Sequence, residues 1–294
     1  MRAAILALTV LLAACGASPG TGNAAGPGAR ALDAPHPGSV STNTLPVLMR
    51  VSAPEGARYR TRTVARTVAQ GATILTEADG RLVILSRDAA GIVDVESRFD
   101  SMRLSDPDGA PVGSPAAYDL TGVVLRRRMD ARGARVGDVI VQGTSAANAA
   151  FAETIRESLQ QSVVRLPEQP VRVGDRWNDT STMALPIQGS TMQCECRADY
   201  ELAAIEHGTA GASTALLRFQ VWCHGYMEID VGDRVLPLTV DSATTGEHRV
   251  ALADGISGVL TMQSETTSEL DTHAEIIASR MQQWVETRTS PDLR

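Results

Sequence analysis

QCECRADYELAAIEHGTAGASTALLRFQVWCHG, residues 193–225, is the stretch that decides the fold. Apolar and polar residues alternate on both sides of a short polar segment at 207–212, which is typical of two half-buried strands around a turn. The segment therefore predicts an antiparallel hairpin, with strands at 189–206 and 213–229.

The same hairpin brings cysteines together. Pairing counted outward from the turn places Cys196 opposite Cys223, and it places Cys194 on the same face, opposite Gly225. An exported chain folds in an oxidising environment, so a disulfide between Cys196 and Cys223 is the first prediction. A slip of two residues would pair Cys194 with Cys223 instead, and free thiols are the remaining alternative.

A metal site is the alternative use of these cysteines. Cys194, Cys196 and Cys223 can converge on one face, and His224 offers a nitrogen, a donor set suited to zinc or copper(I). Adjacent residues of a regular strand point to opposite faces, however, so Cys223 and His224 could share a metal only across a bulge. We therefore predict no metal.

Other strands are predicted on both sides of this hairpin. Before it, alternation at 59–67, an Asp79-Gly80 turn inside ATILTEADGRLVILSRD (72–88), a strand at 91–104 and a turn at 130–133 predict a meander of five or six antiparallel strands. After it, strands are predicted at 234–251, 257–269 and 275–289. The last segment also fits a helix, but its threonines favour a strand.

One segment has helical periodicity. Ala147, Phe151, Ile155, Leu159 and Val163 recur every four residues, and Thr144 or Ser145 can cap the amino end. We predict one long helix at about 145–165. The predicted fold class is α+β, mainly antiparallel β, in which two meander halves form a curved sheet packed on this helix.

The amino end carries an export signal. MRAAILALTVLLAAC has one arginine, an apolar run and small residues before Cys15. Residues 12–15, Leu-Ala-Ala-Cys, resemble the lipobox of bacterial lipoproteins, which implies that residues 1–14 are removed and that Cys15 is lipidated. The acyl chains would then hold the protein on the lipid bilayer. Gly16 follows the cysteine and favours the outer membrane of the cell envelope, facing the periplasm or the cell exterior.

The rest of the chain divides by composition. Residues 15–44 are rich in Gly, Ala, Pro and Ser and predict a flexible tether behind the lipidated cysteine. Residues 45–290 predict a single β-rich domain, with an N-terminal meander at 45–143, the helix at 145–165 and a C-terminal meander at 171–290.

A wider resemblance lies between the helix and the second meander. Leu166-Pro167, Pro170-Val171, Val173-Gly174-Asp175 and Trp177 form an LPxxPVxVGDxW segment. This segment resembles the midpoint of an uncharacterised family of bacterial secreted and lipid-anchored β-rich proteins. The resemblance implies the fold and the envelope location, and it implies no activity.

Composition excludes several functions. All 27 basic residues are arginine, which excludes chemistry that depends on a lysine amine, such as a Schiff base or a Walker A loop. The net charge of -7 argues against nucleic acid as a partner. His207, His248 and His273 are far apart and are interpreted as surface residues. No cofactor and no catalytic residue is predicted.

Three functional hypotheses follow. The first is a non-enzymatic envelope lipoprotein that binds an apolar ligand or lipid between sheet and helix. The second is a structural or protein-interaction module of the envelope with a solid core, whose protein partners the sequence does not identify. The third is an enzyme of unknown class.

Overall fold

Antiparallel strands dominate the computed structural model, which describes residues 39–41, 45–159, 164–187, 190–208, 212–231 and 234–292. Among the described residues, strands make up about two thirds and helices only a small part. The two described helices are α1 (Pro115–Tyr118) and α2 (Ala149–Leu159). The strands are β1 (Ser39–Ser41), β2 (Arg58–Ala69), β3 (Ala72–Arg87), β4 (Val93–Ser105), β5 (Val124–Met129), β6 (Arg135–Gln142), β7 (Arg176–Ile187), β8 (Ser190–His207), β9 (Ser213–Val231), β10 (Arg234–Ala251), β11 (Gly258–Asp271) and β12 (Ile276–Pro291).

The strands form one twelve-stranded sheet from two meanders. Strands β2 to β6 form the first meander and β7 to β12 the second, each strand pairing with the next along the chain. The last strand, β12, pairs with β2 from Met281 opposite Ala69 to Pro291 opposite Tyr59. The two meanders are therefore joined in the middle of the sheet by strands far apart in the sequence.

The inner face of the sheet carries the core. One buried cluster lies within the second meander, around the side chains of Met192, Tyr200 and Phe219. A second cluster combines Ile84 and Val95 of the first meander with Leu202, Leu217 and other residues of the second. Because one cluster takes side chains from both meanders, the inner faces of the two meanders pack against each other.

The predicted α+β fold class is wrong, because in the described part of the chain no long helix covers the sheet. The described part of the predicted helix at 145–165 is helical only over Ala149–Leu159, and Leu166 already lies in extended chain, where its N–H bonds to the Arg132 carbonyl. Helix α2 packs beside β6 and α1, where Phe151 meets Tyr118 edge to face at 5.1 Å. Among the described residues, no helix has both the length and the apolar character needed to cross a bilayer.

The start of this helix agrees with the predicted cap. The Ser145 hydroxyl accepts a hydrogen bond from the Asn148 N–H at 3.3 Å, and the Asn148 side chain accepts one from the Ser145 N–H at 2.7 Å. This reciprocal pair satisfies two N–H groups that the first turn leaves without helical partners.

The predicted turn at Asp79-Gly80 is also wrong. Strand β3 runs through both residues, and the turn lies at Gln70 and Gly71, whose φ values of 50° and 80° suit a tight primed hairpin. Gly80 instead marks a β-bulge against β4. A Cβ atom on Gly80 would lie 2.7 Å from the Arg98 carbonyl oxygen, so this position needs a residue without a side chain.

Most other predicted strands are confirmed. The predicted strand at 234–251 matches β10, the ambiguous segment at 275–289 is strand β12, and a turn at Asp130 joins β5 to β6. Strand β7 was not predicted as a strand. Nor was β1, which lies in the predicted tether and pairs Ser39 with His207 at one edge of β8.

The LPxxPVxVGDxW segment is a structural element that leads into β7. The Trp177 ring stacks on Tyr200 with centroids 5.5 Å apart, and its Nε1 donates to the Arg165 carbonyl at 3.1 Å. Val171 pairs with Val47 in an isolated bridge, and Gly174 takes a φ of 93°. These contacts fasten the connection between the meanders to the sheet.

Gly80→Ala tests the close approach of β3 and β4. We expect the free energy of unfolding to fall by about 1–3 kcal/mol, because the backbone must shift to admit the methyl group. Urea unfolding followed by circular dichroism measures the change. Gly208→Ala is the matched control, since its new Cβ would meet its nearest neighbour at an ordinary 3.4 Å. Equal stability losses in both variants would contradict this account of Gly80.

Candidate functional site

The predicted disulfide is present. Cys196 lies directly opposite Cys223, and their sulfur atoms are bonded, with the Cα atoms 4.1 Å apart. This short Cα distance is close to that of a non-hydrogen-bonded pair of an antiparallel ladder. The alternative pairing of Cys194 with Cys223 does not occur.

Cys194 is a free, buried thiol. It lies opposite Gly225, as predicted, and its sulfur occupies space that a side chain on Gly225 would need. Burial raises the pKa of Cys194 to about 11, with a smaller contribution from the negative charge of Asp241. A thiol with this pKa is protonated at neutral pH and is a poor nucleophile.

The cysteines are not arranged as the metal alternative requires. The disulfide uses the sulfurs of Cys196 and Cys223, and the exposed His224 lies on the opposite face of β9 from the buried Cys223. Across the described ranges, no group of three or more His, Cys, Asp or Glu side chains is placed to hold a metal ion.

The candidate site is the solvent-exposed side of β7 to β12 and β2, called here the outer face. On β9 the side chains of Phe219, Val221 and Cys223 are buried. Trp222 and Tyr226 lie on the opposite side of the same strand and point outward. Trp222 is 39% exposed and Tyr226 54% exposed. The chain has only three tryptophans and four tyrosines, so two large rings on the exposed side of one strand are a concentrated feature.

A groove of about 700 Å³ runs across the outer face beside Trp222. Two cross-strand rows of side chains line it, each formed by directly opposed residues. The charged row is Thr182, Glu195, His224, Asp241 and Thr267. The Trp222 row is Thr180, Arg197, Trp222, Ala243 and Glu265.

Two further grooves, of about 690 and 490 Å³, lie next to the first one along the strands. The next row along the strands, called here the amide row, passes through both grooves. Asn178, Asp199 and Gln220 line the second groove, Gln263 and Trp284 line the third, and Thr245 lines both. At its end the Arg66 guanidinium lies 5.2 Å from the centre of the Trp284 ring, a cation–π contact. The outer face thus has a tryptophan on β9 and another on β12.

Most charges in the grooves are paired with each other. Arg280 binds Glu265 at 2.5 Å, Arg176 binds Glu201 at 2.9 Å, and Arg218 binds Glu247 at 3.2 Å. The hydrogen bond from Arg280 lowers the pKa of Glu265, against the smaller opposing effect of burial. These exposed pairs largely cancel one another's fields.

The imidazole that lines the first groove pairs with a carboxylate. His224 Nδ1 lies 2.8 Å from Asp241 Oδ1, and Glu195 is opposite His224 on its other side. Such a pair can orient a general base, but nucleophilic catalysis also needs a hydroxyl or thiol in contact with the imidazole. Within the described part of the chain, no Ser, Thr or Cys side chain is hydrogen-bonded to His224.

The histidines interpreted as surface residues divide into two groups. His207 and His273 are exposed, and His207 Nδ1 lies 2.9 Å from the Ser213 hydroxyl. His248 is only partly exposed, and its Nδ1 is buried without a partner among the described residues, so the surface interpretation is wrong for it. Burial lowers the pKa of His248 to about 4.

Cys15 lies outside the described residues.

The outer rows were not predicted as a site. The signal that could have found them is on β9, where tryptophan and tyrosine occupy the polar phase of the alternation instead of the apolar phase. The other side chains come from strands whose pairing the sequence does not reveal locally.

No known family model matches the chain, and no curated protein matches it with significant similarity. The described fold and surface define an antiparallel β-sheet protein with one cross-strand disulfide and a grooved outer face. The resemblance of residues 166–177 to secreted β-rich proteins stays a prediction.

Thiol counting tests the state of the cysteines. In a Cys15→Ser chain we expect no labelling of the native protein by iodoacetamide, one labelled thiol after denaturation and three after denaturation with reduction. The single thiol is Cys194, which its burial and raised pKa protect in the folded state. In a Cys194→Ser control the single thiol should disappear. Three thiols without reduction would contradict the disulfide.

Proposed function

We propose that the chain is a lipid-anchored protein of the bacterial cell envelope that works as a binding module through its outer face. The observation that carries this proposal is the run of three adjoining grooves on one exposed side of the sheet, with Trp222 in the first and Trp284 in the third. Concave surfaces with aromatic rings and a few convergent polar groups are the usual form of binding sites. The proposal follows the hypothesis of an interaction module.

The described fold gives no support to an apolar ligand between sheet and helix. Helix α2 lies beside β6, and the inner faces of the two meanders contact each other directly. The grooves on the outer face hold carboxylates, guanidinium groups and amides, which an apolar ligand would have to strip of water without replacing their hydrogen bonds. The geometry therefore supports a polar ligand on the outer face.

Cys15→Ser tests the proposed anchor. We expect the variant to leave the membrane fraction and become soluble, because the acyl chains that supply the binding energy are attached to this cysteine. Fractionation of cells followed by immunoblotting measures the distribution. Cys194→Ser is the matched control and should stay with the membranes. Stable membrane attachment of the Cys15→Ser chain would contradict the lipobox interpretation.

The outer face can be tested in cells by site-specific photocrosslinking. A photoreactive amino acid replaces Trp222 in the anchored protein, and in a matched control it replaces Ile140, which is 55% exposed on β6, outside the grooves. We expect an adduct with an envelope component from position 222 and none from position 140. No adduct at 222, or equal adducts at both positions, would refute the outer face as the binding surface.

A further inference from the structure

From the outer face we infer the class of ligand: a linear, uncharged oligosaccharide that lies across the strands with sugar rings on Trp222 and Trp284. The inference rests on the proposed function, since it names the ligand of the same face. Three features of the grooves carry it: the placement of the two indole rings, the free hydrogen-bonding groups between them, and the pairing of the charges.

The two tryptophans are placed for a chain and not for a single small molecule. Trp222 is on β9 and Trp284 on β12, three strands further, and their rows are neighbours along the strands. Strand spacing and rise together put them roughly 16 Å apart on the sheet surface, the length of a short oligosaccharide. The exposed ring of Trp222 offers a flat apolar surface on which the C–H face of a pyranose can pack. Trp284 offers the part of its ring surface that Arg66 leaves exposed.

The groups between the rings match sugar hydroxyls. Gln220, Thr245 and Gln263 lie in the amide row, and in the described part of the chain their side chains have no hydrogen-bond partner. Amide and hydroxyl side chains both donate and accept hydrogen bonds, as a sugar hydroxyl does. These groups can therefore bind hydroxyls of a ring that is held by a tryptophan.

The charges favour a ligand without net charge. Arg218 and Arg280 are neutralised by glutamates, and the carboxylates of Glu195 and Asp241 add negative charge to the first groove. A nucleic acid or another polyanion would be repelled by these acids. Lipid chains would leave the charges and amides unsolvated. A neutral polymer rich in hydroxyl groups meets neither obstacle.

Titration of the folded protein with soluble linear oligomers of N-acetylglucosamine and of glucose tests the inference. Isothermal titration calorimetry should show binding of at least one of the two oligomers and tighter binding as the oligomer becomes longer. Trp222→Ala and Trp284→Ala should each weaken binding about tenfold, since each removes one aromatic packing surface. Trp222→Phe and Trp284→Phe should restore part of the loss.

Matched variants show whether the two indole rings themselves hold the oligomer. Ile140→Ala on β6 should leave the affinity unchanged, and circular dichroism should show that the tryptophan variants fold, as both rings are at least partly exposed. Gln263→Ala, which removes only an amide, should weaken binding less than either alanine variant at a tryptophan. Unchanged affinity in the Trp222→Ala/Trp284→Ala double variant would overturn the inference.

The ligand class and the binding surface can fail separately. If neither oligomer binds while the photoreactive group at position 222 still captures an envelope protein, the outer face is a binding surface and the oligosaccharide inference is wrong. If neither oligomer binds and position 222 gives no adduct, both the inference and the proposed function are wrong.

Discussion

The register of β8 against β9 is the constraint on which the rest of the structure depends. Next to the turn, His207 pairs with Ser213. If this register continued unchanged along the strands, Cys196 would be opposite His224. A bulge between Leu202 and Ala204 shifts the pairing by one residue, and Cys196 then faces Cys223. Because a shift of one residue exchanges the two faces of a strand, the bulge decides which side chains of β8 are buried.

The disulfide holds this register on the inner face while the groove lies on the outer one. Cys196 is between Glu195 and Arg197, and Cys223 is between Trp222 and His224, so the bond fixes the two strand segments that carry the first groove. A disulfide across a sequence separation of 27 residues stabilises the fold by about 3.5 kcal/mol, because it lowers the entropy of the unfolded chain. The disulfide therefore stabilises both the core and the strand segments of the candidate site.

Toward β10, β11 and β12 the inner face becomes polar, and some of its buried side chains form hydrogen bonds with each other. The Thr266 hydroxyl donates to Ser242 at 3.2 Å, and the Gln283 amide donates to Thr67 at 3.0 Å across the junction of β12 with β2. The second bond joins the two meanders inside the core. Buried polar groups of this kind favour one pairing over others, because any slip would leave them without partners.

Local pattern predicts much of this fold, and contacts between distant segments account for what it misses. Alternation placed β10 correctly, and counting from the turn placed Cys196 opposite Cys223, although the count took His207 to face Ala212 and contained no bulge. Gly80 shows the limit of residue type, since an Asp-Gly pair suits a turn and glycine suits a bulge equally well. The repeat of Phe151 and Ile155 indicated a helix. It could not show that the inner faces of the two meanders would pack on each other and leave the helix at the side of the sheet.

The outer rows show why the candidate site was less predictable than the core. Its side chains come from β7 to β12 and β2, so the site exists only once the sheet has formed. Exposed ion pairs such as Arg176 with Glu201 contribute roughly 0–1 kcal/mol each. Their contribution to stability is too small to explain why this polar face is built around tryptophans. The exposed part of an indole ring gains packing area only when another molecule covers it. Binding therefore explains best why Trp222 and Trp284 expose part of their rings on the polar outer face.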